Sequence, residues 1–252
     1  MKPKPISLQL YTLRDAAKAD FVGTLKRVAA IGYKGVEPAG LHGIEPKEFK
    51  RIVADLGMVI SSTHSPWATA DNLPETIDQL GQLGVNMVVA GYGPDNFKDL
   101  AAIKATAETV EKMDKTLRAA GITMAIHNHW WEFEKLDGRI KFEIFAELAP
   151  NVRFEMDTYW ASNFGANDSA KLVKKYAKRC PLLHIKDGPF IKGQPLLAVG
   201  SGKMDIPAVV KAAGKETKWL VVEQDNSATD MFECVESSYK YLTGNGLAEG
   251  NR

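Results

Sequence analysis

The sequence predicts an α/β fold, a single-domain (β/α)8 barrel over residues 1–252, and three observations predict it. Glycines recur just past helix-like segments, each glycine is followed by a short and nearly continuous apolar run, and eight such runs fit into the 252 residues. Runs of 4–8 apolar residues without polar alternation are what strands covered on both faces require. Eight strand–helix units in about 250 residues is the arithmetic of the closed barrel. An open doubly wound sheet is the alternative, but it usually carries a glycine-rich phosphate turn after its first strand. Here the first strand runs into "LQLYTLRDA", which contains no glycine.

In chain order, "ISLQLY" is the first strand, and Phe21, Leu25, Val28 and Ala29 form one face of the helix after it. Gly32 ends that helix and leads into "YKGVEP"; Phe49, Ile52, Val53 and Leu56 mark the second helix. Gly57 introduces "MVISSTH" and Gly84 introduces "VNMVVAGY". A longer helical face, Leu100, Ile103, Ala107, Val110 and Leu117, stops at Gly121 before "ITMAIHNH". The runs "VRFEMDTY", "PLLHIKD" and "WLVVEQD" complete the strands, and Met231, Val235, Tyr239 and Leu242 mark the last helix. A glycine at each helix end takes the left-handed conformation that satisfies the last carbonyls cheaply.

Composition narrows the partners. Hydrophobic residues make up 45% of the chain, enough for a substantial core. The net charge of +1 gives no electrostatic reason to expect nucleic acid or an anionic membrane. Two cysteines, Cys180 and Cys234, are too few for a disulfide scaffold and suit a reducing compartment. No apolar leader and no membrane-length apolar run is present, so a soluble, cytoplasmic protein is expected. A chain trimmed of a signal peptide would read the same. Nothing in the sequence bears on oligomeric state.

Polar side chains crowd one end of these strands. They are Gln9, Glu37, His64, the trio His127, Asn128 and His129, then Glu155 and Asp157, then His184, Lys186 and Asp187, and finally Glu223, Gln224 and Asp225. In a barrel these C-terminal ends meet on one rim, where active sites of the fold are built. Each residue has a plainer reading. His64 can serve a turn before Ser65-Pro66, Trp130 and Trp131 can pack, and Lys186 with Asp187 can form an exposed ion pair. The plain reading is weakest for Asp157, His184 and Glu223, which end three successive strands after apolar runs. A carboxylate there costs several kcal/mol unless paired or bound to a cation. A mixed imidazole–carboxylate set suits one divalent ion, with Mn2+ preferred and Mg2+, Co2+ or Zn2+ as alternatives.

The motifs "HNHWWEF", "EMDTYW", "HIKD" and "VVEQD", with "YLTGNGLAEG" at the C-terminus, resemble the sugar phosphate isomerase/epimerase family, the xylose-isomerase-like TIM barrels. The resemblance covers essentially the whole chain. It implies a divalent ion held by a glutamate on strand five, an aspartate on six, a histidine on seven and a glutamate on eight. Asp157, His184 and Glu223 match the last three. Where relatives carry the first glutamate this chain has His127, so the fourth ligand is His127 itself or Glu132 just beyond the strand. Glu132 is preferred here, which leaves His127 as a proton-transfer group alongside Glu223. Glu37, His64, Asn128, His129 and Lys186 are expected to bind substrate hydroxyls.

The implied activity is isomerisation or epimerisation of a sugar or keto-sugar through an enediolate, with no phosphate-gripping arginine cluster to demand a phosphorylated substrate. A lyase or dehydratase that expels a beta substituent from a keto-sugar or keto-glycoside is the alternative. An apurinic endonuclease would need more metal ligands than five histidines provide and a cationic face. A non-catalytic barrel that binds carbohydrate or a partner remains the alternative from another class.

Overall fold

All eight apolar runs become strands of one parallel sheet in the computed structural model, which describes residues 2–251. The strands are β1 Lys4–Gln9, β2 Gly35–Glu37, β3 Val59–Ile60, β4 Met87–Ala90, β5 Thr123–His127, β6 Arg153–Asp157, β7 Leu182–Ile185 and β8 Trp219–Val222. They pair in the order β3-β2-β1-β8-β7-β6-β5-β4. The remaining two edges meet through Thr63, whose N–H donates to Met87 O at 3.2 Å and whose carbonyl accepts from Val89 N at 2.8 Å. That contact closes the sheet into a barrel.

Eight helices follow the strands in turn: α1 Phe21–Ile31, α2 Pro46–Asp55, α3 Leu73–Leu83, α4 Leu100–Ala119, α5 Lys141–Leu148, α6 Ser169–Tyr176, α7 Ile206–Ala212 and α8 Met231–Gly244. Aspartate N-caps start five of them. Asp20, Asp99, Asp168, Asp205 and Asp230 each accept a hydrogen bond from a first-turn amide, which satisfies donors the helix cannot use itself. At the other ends, Gly32, Gly57, Gly84 and Gly121 all have positive φ, from 70° to 116°. The helix faces read from periodicity are buried or half-buried against the core, with one exception. Leu100 is 45% exposed, because it is the first residue of α4 and stands beyond the packed part of the helix.

Strand alternation divides the apolar residues into two populations. The larger lies between barrel and helices and includes Ile6, Leu8, Val36, Met124, Ile126, Phe154, Met156, Leu183, Ile185, Leu220 and Val222. The smaller is a separate cluster of Val89, Ala125, Leu182 and Val221, flanked by Met87 and Trp219. These residues alternate with the outer set, so they plug the barrel interior. The same alternation carries the inward positions upward from Ala125 to His127, from Leu182 to His184 and from Val221 to Glu223. Apolar filling gives way to polar side chains within one layer.

The β7–α7 connection is tied down by Asp187. Its carboxylate accepts the backbone N–H groups of Gly188 at 2.8 Å and of Gly200, Gly202 and Met204 at 3.0 Å each. Lys186 and Asp187 are both fully buried, so the exposed ion pair considered from sequence does not form; each side chain has an interior partner of its own. Among the described residues no helix is long and apolar enough to cross a membrane. Asp187→Ala would leave four amides without their acceptor, and the expected loss is about 2–4 kcal/mol, measured by urea denaturation. An unchanged midpoint would mean that water replaces the carboxylate at no cost.

Candidate metal and active site

The top of the barrel interior holds two stacked polar layers. In the deeper one, Glu37 ends β2 and Glu155 stands in the middle of β6. Glu37 Oε1 accepts from Gln9 Nε2 at 2.7 Å, and Ser62 Oγ donates to its other oxygen. His64 Nε2 lies 3.1 Å from Glu37 Oε1 and 2.7 Å from Glu155 Oε2. His184 Nε2 bridges the same two oxygens at 2.9 and 3.0 Å. Burial works against charge on His64, but Glu37 and then Glu155 overcome it and hold that imidazole up to about 10. His184 is likewise raised well above its ordinary value. Burial pushes Glu37 and Glu155 upward, yet these imidazoles hold both carboxyls low.

The upper layer uses the other nitrogen of His184. Its Nδ1 lies 2.8 Å from Glu223 Oε2, and Glu223 is held well below the carboxylate range despite burial, chiefly by Lys186 and His184. Lys186 Nζ is shared among Asp157 at 2.9 Å, Glu223 at 2.7 Å and Asp225 at 2.7 Å. A cation divided three ways does not offset the burial of Asp157, whose carboxyl is pushed up to about 6. Lys186 stands off the hydrogen-bonding direction of Asp157 Oδ2, and that oxygen has no donor. Nδ1 of His127, at the end of β5, is also buried; Glu155 Oε2 lies 3.3 Å from it, outside hydrogen-bonding alignment. Burial holds His127 down to about 3, a neutral imidazole.

One ligand-type atom from each of His127, Asp157, His184 and Glu223 lies within 4.8 Å of the others, a group that could hold a metal ion. His64, His127, Glu155 and His184 form a second such group, in which His64 Nε2 and His184 Nε2 both lie against Glu155 Oε2. Charge points the same way. Five carboxylates (Glu37, Glu155, Asp157, Glu223 and Asp225) stand around three basic side chains (His64, His184 and Lys186). That excess of acidic groups fits a divalent ion, to which His184 would turn a deprotonated Nδ1. The Nε2 contacts of His184 with Glu37 and Glu155 then orient its Nδ1 toward the upper layer, as carboxylates behind a ligating histidine do.

The remaining residues singled out in the sequence are placed as follows. Asn128 is fully buried, and its amide donates to Asp157 O at 3.1 Å and accepts from Asp157 N at 3.0 Å, which ties the end of β5 to the end of β6. Glu132 is not brought to the four-residue group. It lies in a short turn, Trp131–Phe133, where its carboxylate accepts the N–H of His129 at 2.9 Å. Burial raises it, with His129 opposing. A cavity of about 450 Å3 opens above the upper layer, lined by Tyr11, Ala39, Gly40, His64, Ser65, Trp67, His127, His129, Glu223 and Asp225. His64 and His129 thus reach the cavity, whereas Glu37, Asn128 and Lys186 lie beneath it, held by the partners just described.

Sequence reasoning gave no role to Glu155, Asp225, Tyr11 or Trp67. Glu155 was within reach, because its alternation with Asp157 puts both on the inward face. Tyr11 lies in a short 3-10 helix, Leu10–Leu13, and Asp225 and Trp67 sit on loops, where no strand periodicity reports direction. Glu155→Ala would remove the carboxylate shared by two buried imidazolium rings, and the expected loss of stability is about 3–5 kcal/mol, read from chemical denaturation. A loss below about 1 kcal/mol would mean that the rings shed their protons instead of relying on Glu155.

Comparison with known proteins agrees with this architecture. A crystallised sugar phosphate isomerase/epimerase from Parabacteroides distasonis is 26% identical, with a TM-score of 0.81 over 99% of this chain and 96% of that one. An L-ribulose 3-epimerase superposes with a TM-score of 0.73 at 19% identity, covering 97% of this chain and 94% of the other. A probable 3-DHS dehydratase involved in petrobactin synthesis, from Bacillus anthracis, gives a TM-score of 0.73 at 10% identity, over 95% and 98% of the two chains. At those identities the last two share the fold alone. A sequence search of the curated proteins finds no match. The family model for the xylose isomerase-like TIM barrel matches residues 25–240, from the middle of α1 into α8, and the chain belongs to that family.

Proposed function

We propose that this chain is a divalent-metal-dependent isomerase or epimerase acting on an unphosphorylated sugar or keto-sugar. One observation carries the reading: His127, Asp157, His184 and Glu223 gather on one rim with ligand-type atoms within 4.8 Å of one another, and neither His127 Nδ1 nor Asp157 Oδ2 is committed to a hydrogen bond. These four would hold the ion, with His127 in the position for which Glu132 was the sequence-based preference. Bound there, a divalent cation would supply Lewis-acid polarisation of a substrate carbonyl. The 26%-identical relative, itself a sugar phosphate isomerase/epimerase, supports the reaction class. None of the described residues that line the cavity is a lysine or arginine, which favours a substrate without phosphate.

Two groups on separate parts of the rim are placed to move a proton. Glu223, after β8, borders the cavity and is kept ionised by Lys186 and His184. His129, after β5, borders it too; its ring stacks on Trp131 with centroids 4.1 Å apart, and its Nδ1 lies 3.6 Å from Glu132 Oε1. Glu132 therefore stands behind His129 and can orient the ring as substrate draws it in. A proton taken from one side of a bound sugar can return from the other, which is epimerisation; return to the neighbouring carbon is isomerisation. Protonated His64 on the cavity wall supplies a charged neighbour for substrate oxygens.

The chemistry is tested with a panel of sugars and keto-sugars in D2O. Deuterium should appear at the carbon beside the carbonyl, with skeleton and substituents intact. Release of water or an aglycone without such exchange would replace this reading with the lyase or dehydratase one.

The ion is tested by elemental analysis and calorimetry. One divalent ion per chain is expected, lost in Asp157→Asn. Lys186→Met removes the ammonium that competes for the oxygens of Asp157 and Glu223, so it should bind Mn2+ about tenfold or more tightly than the parent, since even one screened neighbouring charge is worth over 1 kcal/mol at this range. Absence of a stoichiometric ion from both the parent and Lys186→Met would remove the metal from the proposal.

A further inference from the structure

Two exposed rings share the cavity with the polar cluster. Tyr11 is 45% exposed and Trp67 is 42% exposed, although a soluble barrel gains nothing by wetting large aromatic surfaces. Neither ring is loose. Trp67 Nε1 donates to Gly91 O at 3.2 Å, and its ring packs so closely on Gly91 that a Cβ there would stand 2.9 Å from Trp67 Cζ2. Tyr11 is backed by the Arg14 guanidinium, 4.4 Å from its ring centre. Arg14 is itself fixed by Tyr11 O at 3.1 Å and Asp225 O at 2.7 Å.

Topology places the two rings after different strands of the barrel. Tyr11 follows β1 and Trp67 follows β3. The loop of β2, which lies between those strands, contributes only Ala39 and Gly40 to the lining. Gly40 has φ +106°, and a Cβ built there meets nothing within 4 Å. The cavity therefore has a half over β1–β3 that presents two aromatic rings, with His64 and Ser65 beside Trp67, and an entirely polar half over β5 and β8. Its volume of about 450 Å3 falls in the range of pockets that enclose drug-sized ligands, about 300–1,000 Å3.

We propose that the substrate is a glycoside and not a free monosaccharide: the reacting sugar lies on the polar half, and a second ring, joined through the glycosidic oxygen, sits between Tyr11 and Trp67. The proposal rests on the reading of the site as sugar-binding and narrows it to two-ring substrates. Pre-positioned aromatic faces favour a flat apolar ring face, either the C–H face of a second sugar or an aryl group, at little ordering cost. The reacting sugar then gains its orientation from a part of the substrate that takes no part in the chemistry.

The test is calorimetric binding to the full chain, without turnover, of methyl glycosides, phenyl glycosides and disaccharides in the gluco, galacto and manno series. In at least one series a ring-bearing ligand should bind about tenfold or more tightly than its methyl counterpart, the scale of one or two aromatic contacts. Preference for phenyl over disaccharide identifies an aryl group, and the reverse identifies a second sugar. Trp67→Ala and Tyr11→Ala should each remove most of the gain and leave methyl glycoside binding unchanged, and Trp67→Phe should keep it. Absence of a ring-dependent gain in every series overturns the proposal, and so does a gain that survives both alanine variants. Because no turnover is measured, a failed deuterium exchange leaves this result standing, and the reverse also holds.

Discussion

Both ring nitrogens of His184 are engaged by carboxylates, and the polar top of the barrel depends on that arrangement. Nε2 lies against Glu37 and Glu155, and Nδ1 lies against Glu223. All of these groups are buried, so none can trade its partner for water. Removing any one leaves an uncompensated charge in a medium that screens poorly. His64 reinforces the deeper layer, and Lys186 links the upper layer to Asp225 at the rim. Acidic groups outnumber basic ones in this network, which suits it to a cation.

The scaffold holds this network by separating two kinds of packing. Outward-facing strand residues form the large core beneath the helices, and a small inner cluster around Val89, Ala125, Leu182 and Val221 fills the barrel below the polar layers. Ligand-type side chains therefore stand on rigid strands with a dry floor under them, where a fixed geometry costs least to maintain. Two buried side chains then lock the strand ends. Asn128 ties β5 to β6, and Asp187 gathers the amides of the loop after β7. Neither lines the cavity, yet each sets the position of a residue beside it, His127 or Lys186.

His127 stands at the end of β5, where the family resemblance implied a glutamate. A neutral imidazole contributes no charge, so the carboxylates would carry the attraction for a cation bound there. The nearest carboxylate on that strand, Glu132, is committed to His129. The pair His129–Glu132 thereby places a partnered imidazole on the cavity wall, which Glu223 also borders. On the β2 flank only Ala39 and Gly40 join the lining, beside the rings of Tyr11 and Trp67.

The order of strands and helices was legible in the sequence because glycine punctuation and apolar runs are local. Gly32, Gly57, Gly84 and Gly121 terminate helices through their own φ angles, with no help from distant parts of the chain. The metal-type residues Asp157, His184 and Glu223 were legible for a related reason: strand alternation points them inward whatever the loops do. The family resemblance supplied the same ligand positions and the expectation at His127. Direction and partnership were not local. Whether Glu132 or His127 joins the cluster depends on how the turn after β5 folds, and the fate of Lys186 depends on carboxylates from β6 and the β8 end. Tyr11 and Trp67 are 56 residues apart in sequence and become neighbours on one cavity only because closure of the barrel sets β1, β2 and β3 side by side. Sequence by itself determined which residues end the strands, since backbone periodicity is short-ranged; tertiary structure decided which of them meet, since charge compensation and cavity shape are made by residues from different strands.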